Sequence, residues 1–125
     1  MRVWTILLII LLIGPGARAH ENSVSFLNLK PSGSQVAGEW HVAIKDLDLL
    51  FGLDANQDRH ITWGEGKARV GEIDRHLAGG LAFRTGSRST EPVFQERLVD
   101  ERSGIGYLVL RFGLSEMPEA LDYRF

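Results

Sequence analysis

The stretch Asp54-Ala55-Asn56-Gln57-Asp58-Arg59-His60-Ile61-Thr62-Trp63-Gly64-Glu65 restricts the fold more than any other part of this chain. It sets oxygen-bearing side chains at loop positions 1, 3, 5, 9 and 12. A hard cation such as Ca²⁺ takes roughly six to eight oxygens at once, so a short segment must curl around it and deliver ligands from alternating residues. That spacing is the EF-hand pattern. It expects side-chain oxygens from Asp54, Asn56 and Asp58, and the backbone carbonyl of His60 as the fourth ligand. Thr62 contributes directly or through a water, and Glu65, entering from the first turn of a following helix, closes the site with both carboxylate oxygens. Ile61, at position 8, is the apolar residue that would pin the loop to a strand or to the core. A metal-free alternative uses the same residues, with Thr62 and Glu65 as a helix capping box behind a polar Asp/Asn turn.

Position 6 departs from the pattern. The chain turns there with φ > 0, which favours Gly, and this sequence has Arg59. A non-Gly residue in that conformation costs about 1 to 2 kcal/mol. The carboxylates are Asp54, Asp58 and Glu65, with no second loop of this kind to pair with. The expected affinity is therefore weak, at ~10⁻⁴ to 10⁻³ M.

The N-terminus predicts where such a site works. Arg2 precedes an apolar run from Val3 to Ile13, a Gly14-Pro15-Gly16 break and Ala17-Arg18-Ala19. This reads as a secretory signal peptide over residues 1–19 with an A-x-A cleavage site. The run is shorter than the ~20 residues of a membrane-spanning helix. Residues 20–125 then form one exported domain, periplasmic or secreted, that starts at His20. The net charge is −2, and loss of Arg2 and Arg18 makes it more acidic, so no nucleic-acid partner is expected. The chain has no Cys, so its core, and a metal where one binds, must hold the exported domain without disulfides.

Periodicity predicts an α+β fold, mostly antiparallel β and sandwich-like, with the loop leading into one helix. Ser23 to Leu29 is β-like, Pro31 to Ser34 is a turn, and Val36, Gly38, Trp40, Val42 and Ile44 alternate with Ala37, Glu39, His41, Ala43 and Lys45, giving a hairpin. Asp46 to Gly52 can make one or two helical turns. Between Trp63 and Ala78 the residues Trp63, Val70, Ile73 and Leu77 share a helical stripe, with Gly79-Gly80 as the stop. Leu81 to Arg84, Val93 to Val99 and Ile105 to Phe112 read as strands, the last two joined through Asp100 to Gly104, and Leu121 to Phe125 begins another.

Together these segments resemble a known family. Ser23 through Leu29, Gly38-Glu39-Trp40, Ile44-Lys45-Asp46-Leu47-Asp48, Gly52-Leu53-Asp54 and Ile61-Thr62-Trp63-Gly64-Glu65, behind His20, are similar to the exported N-terminal domain of bacterial HupE/UreJ-like membrane proteins. The resemblance is densest from Trp40 to Glu65. It implies a β-rich module with an EF-hand-like loop, Gly where this chain has Arg59, and a multi-helix membrane region beyond the strand near Tyr123 as the missing partner. Nickel transport belongs to that membrane region and is not implied here.

Two other readings come from different classes. Cleavage after Ala19 would give His20 a free amine beside its imidazole, a chelating pair for copper or nickel that could act with His41; otherwise His41 is a solvated strand residue. The third reading is a metal-free adaptor domain of a membrane protein. Catalysis is not expected, because no nucleophile sits in a recognisable elbow and Gly104-Ile105-Gly106 lacks a strand-to-helix context. Glu72 and His76 lack the second His of an H-E-x-x-H site and read as a solvated face. Trp40 and Trp63 could line a ligand groove, but aromatic residues at strand and helix-start positions are usually core, and both read as core here.

Overall fold

The computed structural model describes residues 24–124. The expected signal peptide and His20 lie outside them. Strand β1 (Phe26–Ser32) pairs with β2 (Gln35–Ala43), which runs into helix α1 (Ile44–Phe51). The twelve-residue loop follows, then α2 (Trp63–Ala68), α3 (Val70–Gly80), β3 (Leu81–Thr85), β4 (Arg88–Thr90), β5 (Glu96–Arg102), β6 (Ile105–Leu114) and β7 (Ala120–Tyr123). All pairings are antiparallel, in one sheet of order β1-β2-β6-β5 and another of order β4-β3-β7. The fold is α+β and mostly antiparallel sheet, with the two sheets sharing one core.

That core forms because the inward residues of β2 and β6 meet the second sheet and the helices. Trp40 of β2 lies edge-on to Tyr123 of β7 with centroids 6.2 Å apart, and Phe83 of β3 lies 5.4 Å from Phe112 of β6. Leu47 of α1 and Ile73 and Leu77 of α3 complete it. Gly38 stands opposite Phe112, and a Cβ at Gly38 would clash with the edge of the Phe112 ring. Only glycine lets the strand lie that close to the aromatic side chain.

Several expectations change. Pro31 belongs to β1 rather than to the turn, which is only Gly33-Ser34, with Gly33 at φ 63°. A proline is tolerated there because β1 is a sheet edge. The helix expected from Trp63 to Ala78 is broken at Arg69 (φ −111°, ψ 8°), and α3 continues through Gly79 and Gly80 directly into β3. The break shifts the phase, so α2 has no buried residue and Trp63 is 59% exposed instead of core. Val93 is exposed ahead of β5, and β4 is an additional short strand made through the Gly86 turn.

His41 is not a solvated strand residue; it is 2% exposed. Strand β2 lies inside its sheet, and the face that carries His41 also carries Ala43, with Tyr107 and Val109 beside it on β6. The His41 and Tyr107 rings are 6.3 Å apart. The C-terminal half of β2 is thus buried on both faces.

Candidate metal site

The loop is anchored before it begins. Helix α1 ends on Gly52 in the left-handed region (φ 61°, ψ 54°), whose N–H donates to the Asp48 carbonyl at 2.7 Å. Asp48 then accepts the Asp54 N–H through Oδ1 at 2.9 Å, while Leu53 is buried between them in sequence. Asp48 therefore ties the first loop residue back to α1. The sequence offered only a faint sign of this role, an acid six residues before Asp54.

From Asp54 the chain curls around its own carboxylate. Gln57 at φ 58° and Arg59 at φ 66° both occupy the left-handed region, turning the backbone twice within three residues. These turns aim N–H groups inward. Asp54 Oδ1 accepts from the Asp58 N–H at 3.2 Å and Asp54 Oδ2 from the Arg59 N–H at 2.8 Å. Asn56 Oδ1 also accepts from Asp58 N–H at 3.2 Å, and its amide donates to Asp58 Oδ2 at 3.0 Å. Asp58 Oδ1 in turn accepts the His60 N–H at 2.8 Å. Positions 1, 3 and 5 are thereby brought together.

The second half of the loop is built on the helix cap. Thr62 is the N-cap of α2, and Glu65 three residues on completes a capping box. Glu65 Oε2 accepts from Thr62 N–H at 2.8 Å and from Thr62 Oγ1 at 3.0 Å. The Thr62 N–H above all holds the Glu65 carboxyl below its ordinary range, with the Thr62 hydroxyl and the Ala55 N–H adding to it, while the nearby Asp58 charge pushes the other way. Glu65 therefore reaches back to the start of the loop and senses Asp58. Asp58 is lowered too, first by the His60 N–H and then by the Asn56 side chain. Half-buried Ile61 packs against the core between the two halves.

The predicted donors thus fall into two groups, Asp54 with Asn56 and Asp58, and Thr62 with Glu65. No three acidic or histidine side chains stand at coordinating separation among the described residues. The carboxylates are occupied by backbone amides and by Thr62. An all-oxygen donor set suits a hard cation better than a soft metal.

A second polar cluster lies on the sheet. His41 Nε2 sits 2.5 Å from Glu39 Oε1, Glu39 Oε2 accepts from Arg111 Nε at 3.1 Å, and Arg111 Nη1 donates to Glu96 at 3.0 Å. The His41 hydrogen bond, then Arg111, draws the Glu39 carboxyl below its ordinary range. An ionised Glu39 only accepts, so His41 Nε2 is the donor, and Nδ1 is buried with no partner among the described residues. Burial and the Glu39 hydrogen bond thus enclose the His41 ring and engage its Nε2. No family model, curated protein or solved structure matches the chain.

Proposed function

We propose that the chain is an exported domain that binds one calcium ion weakly in the loop from Asp54 to Glu65, and that the ion acts as a structural clamp rather than a switch. The observation that supports this most is the loop backbone, wound through Gln57 and Arg59 in the left-handed region about the Asp54 carboxylate. Asp54, Asn56, Asp58, Thr62, Glu65 and the His60 carbonyl would hold the ion. Bound there, it would neutralise acidic groups that otherwise repel one another, and would tie α1 to α2 across the loop. In this proposal the leader 1–19 directs export, and the domain, like the HupE/UreJ-like exported domains it resembles, works beside a membrane region. Glu72 and His76 are assigned no catalytic step, because Glu72 is paired with Arg69 at 2.7 Å and His76 lies against the Phe51 ring.

Calcium titration of the purified protein, followed by its melting temperature, tests the reading. Saturation at ~10⁻⁴ to 10⁻³ M with a rise in melting temperature is expected. No change at 10 mM calcium, about ten times the upper end of that range, would remove the proposal.

A further inference from the structure

Between α1, the loop, α2, α3 and β5 lies a cavity of about 600 Å³. Its floor is core, formed by the buried residues Leu47, Leu53 and Ile73. Leu108 and Ile61 wall it, and Trp63 stands exposed at its rim. The volume is within the ~300 to 1,000 Å³ of small-molecule sites. Left to solvent, such a space is unfavourable, since it exposes apolar surface to water that finds few polar partners there.

The charges at the mouth are unequal. Arg97 is held by Asp74, through Nε at 2.9 Å and through Nη2, and Glu96 is held by Arg111. Lys67 of α2 also lines the cavity, and its ammonium makes no ion pair or hydrogen bond among the described residues. An occupant therefore meets an apolar interior and one unneutralised cation on a flexible stem. An extended peptide segment would carry backbone polar groups into walls that cannot satisfy them, and a sugar or base would bring polar groups of its own. An acyl chain carries none.

We propose that this cavity binds a long-chain fatty acid, the hydrocarbon tail on Leu47, Leu53 and Ile73 and the carboxylate at Lys67. The site goes beyond the calcium reading. Ile61, Thr62 and Trp63 come from the loop, and Thr62 is also a proposed cation ligand, but the tail rests on Leu47, Leu53 and Ile73 and the carboxylate on Lys67, none of them a cation ligand.

The test is run in EDTA, so that it stands or falls apart from calcium. The purified protein is titrated with 9,10-dibromostearate below its micelle concentration, and quenching is read as the Trp63-dependent emission, the parent minus Trp63→Phe. Saturable quenching at one equivalent, reversed by oleate, is expected. Lys67→Glu, an exposed change, should weaken oleate on the order of tenfold and leave oleyl alcohol unaffected. The proposal is overturned by the absence of saturable Trp63 quenching, or by an oleate affinity indifferent to Lys67→Glu. Quenching seen only with brominated phospholipid vesicles overturns it too, making the cavity a membrane-docking face.

Discussion

Thr62 and Glu65 hold one another reciprocally: the Thr62 N–H and hydroxyl donate to Glu65 Oε2 at 2.8 and 3.0 Å, and the Glu65 N–H returns to Thr62 Oγ1 at 3.2 Å. In the proposed function Glu65 thus has two tasks, capping α2 and closing the cation site. Gln can accept the cap hydrogen bonds but brings neither the charge nor a bidentate carboxylate. Glu65→Gln should therefore leave the metal-free melting temperature near neutral pH little changed while abolishing the calcium-induced rise. Thr62→Ala should cost about 1 kcal/mol without metal. Thermal melts of the variants, with and without calcium, separate the two tasks. An undiminished calcium response in Glu65→Gln would mean that Glu65 only caps the helix.

Acid should loosen the loop before it reaches the core. Glu65 and Asp58 both have folded pKa values below their ordinary 4.5 and 3.8, chiefly through the Thr62 and His60 N–H groups. A depressed carboxylate contributes stability that is complete above the unfolded value and is lost as pH falls through the folded one. Metal-free melting temperature should then decline as pH drops below about 4.5, the upper of the two unfolded values. Glu39 is lowered by His41 and Arg111 and adds to the same decline. Comparing the parent with Glu65→Gln and Asp58→Asn isolates the loop's share. Equal acid slopes in all three proteins would assign the decline elsewhere.

The loop and the hairpins were legible because their determinants are local. Oxygen donors two residues apart, a Gly33 or Gly104 turn between alternating segments, and the capping pair Thr62 and Glu65 are visible in a window of a dozen residues. What stayed hidden depends on partners distant in sequence. His41 alternates like a solvated residue, and only its juxtaposition with Tyr107 and Val109 on β6 shows the second buried face. Trp63 follows the helical stripe until Arg69 breaks the phase. Strand β4 is three exposed polar residues, too short and too polar for any period to mark. The cavity combines residues from α1 to β6, so no stretch of sequence announces it.

Gly38 offers a test of the sheet that carries all this. Its strand passes so close to Phe112 that an added Cβ would overlap the ring. Gly38→Ala should destabilise by about 1 to 3 kcal/mol, since the core must shift to admit one methyl. Trimming the ring should relieve the clash, so Gly38→Ala with Phe112→Leu should cost less than the sum of the single changes. Denaturant unfolding of the four proteins gives the coupling. Additive losses would show that the strand and ring are not in contact.

Arg59 is where the sequence departs from the loop pattern and the backbone does not, for its φ of 66° is the conformation glycine normally supplies there. Replacing it should relieve about 1 kcal/mol of backbone strain. It also removes a positive charge from beside the proposed cation. Arg59→Gly should therefore bind calcium more tightly. Glycine also adds freedom to the unfolded chain, so the metal-free protein should gain little stability or lose some, with the gain appearing only on adding calcium. Trp63, two residues before Glu65, can sensitise Tb³⁺ emission, with terbium standing in for calcium. Titrating parent and variant with Tb³⁺, then displacing it with calcium, reads both affinities. A variant that binds neither ion better than the parent would mean that the left-handed turn at Arg59 serves the polar loop alone, with no cation inside it.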